Sequence, residues 1–268
     1  MSGSRRFGAL LVAALGAVLV FLIVPVVGVF VNVSPAELLS SLGEEGALDA
    51  LRLSLETTAI ALAIILVVGT PAAYLLATRS FRGRSLAVTL VELPLVLPPA
   101  VAGIALLAGV GPSGLLGGVV EGAGVELVFE TAGVVVALTF VASPFYIRQA
   151  QAAFAAVDPT LLEASRTLGA SEAETFARVA IPTARAGLYS GTALAWGRAL
   201  GEFGATLVFA GSFQGTTQTA PLAIVERFGT DFTGALALSA VLVALSAALL
   251  FSVKLLSGSA AFGSGASA

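Results

Sequence analysis

The sequence predicts an all-α, polytopic membrane protein of about six transmembrane helices, and three observations carry that class. Hydrophobic residues make up 57% of the 268-residue chain and charged residues only 11%, against about 25% charged in soluble domains. The mean hydropathy is +1.02. Apolar stretches long enough to cross a bilayer, roughly 20 residues each, recur along the chain. Such a surplus of apolar surface does not fit an ordinary soluble domain and belongs against lipid.

Taken in order, the first span covers 7–31 and carries no charge. The second covers 55–77 and is free of charge from Thr57 onward. The third, 86–110, is interrupted only by Glu92. The fourth, 132–150, has a short apolar core that can extend at either end. The fifth, 182–210, carries Arg198 and Glu202, and the sixth is 232–254. Arg5 and Arg6 precede the first apolar run as they would in a secretory signal. That run is too long for a signal core and has no A-x-A site closing it, so a retained first span is expected. The membrane unit is therefore 1–256, followed by a Ser/Gly/Ala-rich tail, 257–268, that reads as a flexible end.

Orientation follows from the basic residues, which concentrate on the cytoplasmic side. With the N-terminus inside, that side receives Arg5, Arg6, Arg79, Arg82, Arg84, Arg148, Arg166, Arg178, Arg185 and Lys254. The outer loops receive the acids instead: Glu37, Glu44, Glu45, Asp49, Glu121, Glu126 and Glu130. The pattern predicts a multi-pass protein of the cytoplasmic membrane with both termini cytoplasmic.

The composition also narrows the chemistry. There is no cysteine and no histidine, which removes disulfides, thiolate or imidazole metal sites and every Ser-His or Cys-His triad. No G-x-x-x-x-G-K-[ST] occurs, so the chain has no P-loop for nucleotide phosphates. No catalytic residue, metal site, resident cofactor or nucleic-acid partner is expected. The net charge of −3 says little, because in a membrane the placement of charge outweighs its sum.

Between the fourth and fifth spans lies a segment of mixed polarity, 158–180, with clear punctuation. Asp158 can cap a helix with Pro159 at its first position, where the missing N–H costs nothing. Gly169 can end that helix in the left-handed conformation. Ser171 and Glu174 then form S-x-x-E, a capping box that opens a second short helix, expected to stop before Pro182. Spacing alone leaves two readings, a hairpin that merely links two spans or a docking element.

The string EASRTLGASEAETFARVAIP resembles the EAA loop of ABC importer permeases: EAA, three residues, Gly, nine residues, Ile-x-Leu-Pro. Glu163, Ala164, Gly169 and Pro182 stand at family positions. Ser165 replaces the third-position Ala, Val179 replaces Ile and Ile181 replaces Leu. The resemblance implies a type I importer permease fold in which this loop is the coupling helix that docks on an ATPase subunit. LPLVLPPAVAG (93–103), GRALGEFGATLVFAGS (197–212) and TQTAPLAI (217–224) look like the molybdate/tungstate permease family, the ModB type. Sulfate permeases share the GEFGA core, so a sulfate or thiosulfate permease is the alternative. The resemblance further implies ATPase subunits that carry ATP and Mg, an extracytoplasmic oxyanion-binding protein and a second permease copy in a homodimer.

Candidates for the translocation pathway and its gates are Pro94, Pro98, Pro99, Arg198, Gly201, Glu202, Phe203, Gly204 and Thr206. Each proline removes an intrahelical donor, and irregular backbone at membrane depth survives only beside protein or a water-filled cavity. The prolines are structural kinks or pathway-lining breaks. Arg198 and Glu202, four apart on one helical face, are intramembrane ions. They form either a structural pair or part of the pathway or a subunit interface. Gly197, Gly201 and Gly204 allow close helix packing or gating motion. An autonomous secondary transporter is a third reading, for which inverted repeats and several intramembrane carboxylates are expected. The chain shows no convincing repeat and only Glu92 and Glu202 as candidates.

Overall fold

A computed structural model describes residues 2–44 and 46–262. Among these the only regular structure is helical. Helix α1 (Ser2–Val31) holds the first apolar run, and none of its 7–31 stretch is buried against the rest of the chain. A sequence apolar on every side has no preferred face toward its own bundle and is suited to lipid or a neighbouring chain. A short helix follows, α2 (Pro35–Gly43), opened by a capping box in which Ser34 Oγ accepts from Glu37 N–H and Glu37 accepts from Ser34 N–H. Ser34 and Glu37 carry the same S-x-x-E signal as Ser171 and Glu174.

Helix α3 (Ala47–Thr78) begins well before the expected residue 55, and α7 (Thr131–Ala155) exceeds the expected 132–150 at both ends. Among the described residues, these together with 7–31 and 232–253 make four continuous helices long and apolar enough to cross a membrane. The other two expected spans are each interrupted. The third divides into α4 (Arg84–Val96) and α5 (Pro99–Val110). The fifth divides into α10 (Ile181–Leu200) and α11 (Gly204–Ala210). Between α5 and α7 lies α6 (Gly117–Gly122). After α11 come the amphipathic α12 (Ala220–Phe228) and the long α13 (Phe232–Phe262). Helix α13 corrects the expected tail: the chain stays helical from Ser257 through Phe262, and 263–268 lie outside the described residues.

The centre of the bundle is α3, α7 and α10. Ile65, Leu138, Tyr146, Phe154 and Ala195 form its core. Lipid tails are as apolar as leucine, so packing and interhelical hydrogen bonds must hold these helices together. Small residues let the backbones approach: a Cβ on Gly191 would stand 3.1 Å from Gln149 Cβ, and one on Gly69 would stand 3.1 Å from the Tyr146 ring. The Tyr146 hydroxyl, in a side chain 1% exposed, shares a 2.6 Å hydrogen bond with Thr70 Oγ1. A second core joins α5, α7 and α11 through Leu106, Val141 and Phe209. A third joins the start of α3 to α12 and α13.

Candidate functional site

The capped segment folds as its punctuation dictates. Asp158 caps α8 (Pro159–Thr167), its carboxylate accepting the Thr160 N–H at 2.9 Å. That bond holds the Asp158 carboxyl below its ordinary range, since a hydrogen bond to the charged form favours it. Helix α8 ends in a Schellman turn: Ala170 N–H reaches Ser165 O, Gly169 N–H reaches Arg166 O, and Gly169 sits at φ +90°. Ser171 then opens α9 (Glu172–Thr175) with a full capping box. The hydrogen bonds from Ser171 hold the Glu174 carboxyl low as well.

One expectation fails here. The second helix does not stop before Pro182. It passes through a single π-helical turn, Phe176–Ala180, directly into α10, with Pro182 in its first turn. The wider turn lets Ile181 N–H bond Phe176 O, one residue further back than in an α-helix, and so absorbs a residue that cannot donate. Glu163, Ala164, Gly169 and Pro182 are exposed, while Ser165 is half-buried and shares a 3.1 Å hydroxyl contact with buried Thr175. The segment therefore shows its EAA edge outward, with Leu168 88% exposed beyond it, and anchors through Leu162.

Contacts invisible in the linear order tie this segment to the bundle. Glu172 bridges Arg166 at 3.1 Å and Arg79, just past the end of α3, at 3.2 Å. The Phe176 ring packs on Tyr74 of α3 at 4.7 Å between centroids and on Phe154 of α7 at 6.1 Å. The sequence offers no spacing signal for such pairs, because the partners lie on different helices.

The two interrupted spans meet near their interruptions. Leu97 is extended, and Pro99 takes the first position of α5, where its missing N–H is harmless. Pro94 lies inside α4, before the break, and Pro98 and Pro99 are exposed. On the other span, Gly201, Glu202 and Phe203 separate α10 from α11. A Cβ on Gly204 would lie 2.5 Å from Pro99 Cβ, and one on Gly103 would lie 2.6 Å from Val208 Cβ, so α5 and α11 touch through glycine. Gly197 has open space, and Gly201 meets only its own helix at 3.5 Å, so of the three glycines only Gly204 makes a close approach to another helix.

Glu202 is 1% exposed. One carboxylate oxygen accepts the Ala205 N–H at 2.7 Å and the other pairs with Arg198 at 2.5 Å. A carboxylate beside the first turn of α11 also faces the positive end of that helix. Arg198 and Glu202 thus pair, and the carboxylate also bonds the first turn of the segment after the break. Thr206 is fully buried, and its hydroxyl has no partner among the described residues. A further ion pair, Glu92 of α4 with Arg148 of α7 at 2.7 Å, was not expected from spacing.

Helices that span lipid, two of them broken where they touch, are the construction of a multi-pass membrane transport subunit. The chain belongs to the family of binding-protein-dependent transport system inner membrane components, matched over residues 68–260. The matched region contains both interrupted spans and the whole capped segment. The chain is 40% identical over 236 residues to the molybdenum transport system permease protein ModB of Mycobacterium tuberculosis, covering 88% of this chain and 89% of that protein. It is 32% identical over 250 residues to the sulfate transport system permease protein CysW of Synechocystis, covering 91% and 90%. The crystal structure of a bacterial ABC transporter involved in the import of the acidic polysaccharide alginate shares the fold, with a TM-score of 0.74 at 16% identity over 93% of both chains. The chain is a permease subunit of an ABC importer in the cytoplasmic membrane and not itself an enzyme. Membership of this family implies ATPase and substrate-binding protein partners.

Proposed function

We propose that this chain is the membrane-spanning permease of an ATP-driven importer that carries molybdate or tungstate into the cell. The likeness to ModB over most of both chains is the observation that supports this substrate class. The lower likeness to CysW, itself a sulfate transport permease, favours sulfate or thiosulfate as the second reading.

In this reading two copies of the chain form the pathway, both termini face the cytoplasm, and ATP and Mg reside on the partner ATPases. Glu163, Ala164, Ser165, Gly169 and Pro182 form the edge that docks on the ATPase. Pro94, Pro98, Pro99, Arg198, Gly201, Glu202, Phe203, Gly204 and Thr206 border the pathway and its moving parts. Glu202 already holds Arg198 and the α11 backbone, so its role is to shape the break. A carboxylate is in any case a poor ligand for an oxyanion. The route needs only weak binding at several points, since a tightly held dianion would leave slowly. ATP shifts the permease between inward-open and outward-open states only by binding the two with different affinity.

Uptake into liposomes holding the permease, its ATPase and the binding protein tests the substrate. Labelled molybdate should enter with ATP hydrolysis and be competed by tungstate far better than by sulfate. Competition by sulfate alone would move the assignment to the second reading.

A further inference from the structure

The half-helix α4 is held in an unusual way. None of its thirteen residues is buried against the rest of the chain. It ends at the extended Leu97 and the Pro98–Pro99 pair, so no helical hydrogen-bond ladder carries it into α5. At its start Arg84 Nε donates to Leu76 O of α3 at 2.9 Å. Further along, Glu92 meets Arg148 of α7 at 2.7 Å. Arg148 stands about two helical turns from the end of α7. That end leads straight into the capped segment through residues 156–158.

We infer that Glu92 and Arg148 form the mechanical link that makes α4 follow the inner end of α7, so that movement of the capped segment reaches the Leu97–Pro98 break. The other interruption is reached differently, because the capped segment runs without a stop into α10 and ends at Gly201. Each break then has its own connection to the docking edge: one through a continuous helix, the other through an ion pair between two helices. A charge pair suits this task. Apolar contacts in lipid give little preference for one helix neighbour over another, whereas this pair, with its side chains partly exposed, sets one carboxylate of α4 on one guanidinium of α7 and so fixes which residues of the two helices stay together. Glu92 is a positioning residue in this scheme and touches no substrate. The inference rests on the transport reading above, since without ATP-driven uptake there is no movement to transmit.

The test compares Glu92→Gln, Arg148→Gln and the exchanged pair Glu92→Arg with Arg148→Glu, each reconstituted with the ATPase and the binding protein. Either single change should lower molybdate uptake per ATP hydrolysed by at least about fivefold, the low end of usual coupling effects. Hydrolysis stimulated by the loaded binding protein should persist. The exchanged pair should recover most of the lost uptake. Unchanged coupling in both single variants, or failure of the exchanged pair to recover it, would overturn the link. A second measurement avoids disturbing the pair. The chain has no cysteine, so spin labels at Leu90→Cys and Ala152→Cys report α4 against α7 directly. Their separation should stay constant between nucleotide-free and ATP-trapped states, and a changed separation would overturn the link even if the charge variants failed to insert. An inert wild-type transporter would count against the function, while an active one indifferent to these changes would count against the link alone.

Discussion

Gly169 matters more to the proposed docking edge than its size suggests. Its φ of +90° lies where only glycine, and to a lesser degree asparagine, sits without strain. Nothing stands within 4 Å of the position a Cβ would take, so any penalty for substitution comes from the backbone and not from a clash. Gly169→Val should disturb the Schellman turn at a cost of about 1–2 kcal/mol. ATP hydrolysis should then proceed with little uptake, while insertion in the membrane continues. Gly169→Asn should retain most coupling. Normal uptake per ATP in the valine variant would remove this residue from the coupling machinery. The turn was legible because its signals are local: a cap, a proline beside it, a glycine ten residues on from that proline and S-x-x-E. The Ser165–Thr175 hydroxyl contact and the Glu172 bridge to Arg79 were not legible, because they depend on how the helices come together.

Among the elements, the facing breaks depend on one close contact. Gly204 lets α11 lie against Pro99, and a methyl group there would come within 2.5 Å of the Pro99 Cβ. Gly204→Val should push α5 and α11 apart at a cost of about 1–3 kcal/mol, lowering both the melting temperature in detergent and transport. Gly197→Ala, at a position with open space around it, should leave both unchanged. If the two substitutions behaved alike, the packing account of the breaks would be wrong. The break in the third span was readable from three prolines within six residues. The break in the fifth contains no proline, and Gly201 with Gly204 gave only an ambiguous signal, since glycine serves packing as well as interruption. Pro182 misled in the opposite direction, because a single wide turn carried the helix past it.

At the scale of the whole molecule, the positions of the lipid-length helices were legible from hydropathy and their neighbours were not. Apolar runs reveal how far a helix extends into lipid but not which face meets which partner, and the central trio α3, α7 and α10 is sorted by small residues and scattered hydroxyls. The orientation drawn from the arginines can be checked directly. In intact cells an impermeant thiol reagent should modify Val125→Cys, in the exposed segment before α7, and leave Ala177→Cys untouched until the membrane is opened. The reverse pattern would invert the topology and place the docking edge away from any ATPase. The uninterrupted passage from the capped segment into α10 has one more consequence. Its twenty residues make a rod about 30 Å long. Pivoting such a rod by roughly 10° at its base displaces its far tip by about 5 Å, more than the width of an oxygen atom. Small rocking at the base of this rod is thereby geared into a tip displacement of ionic dimensions, with no side chain required to travel far.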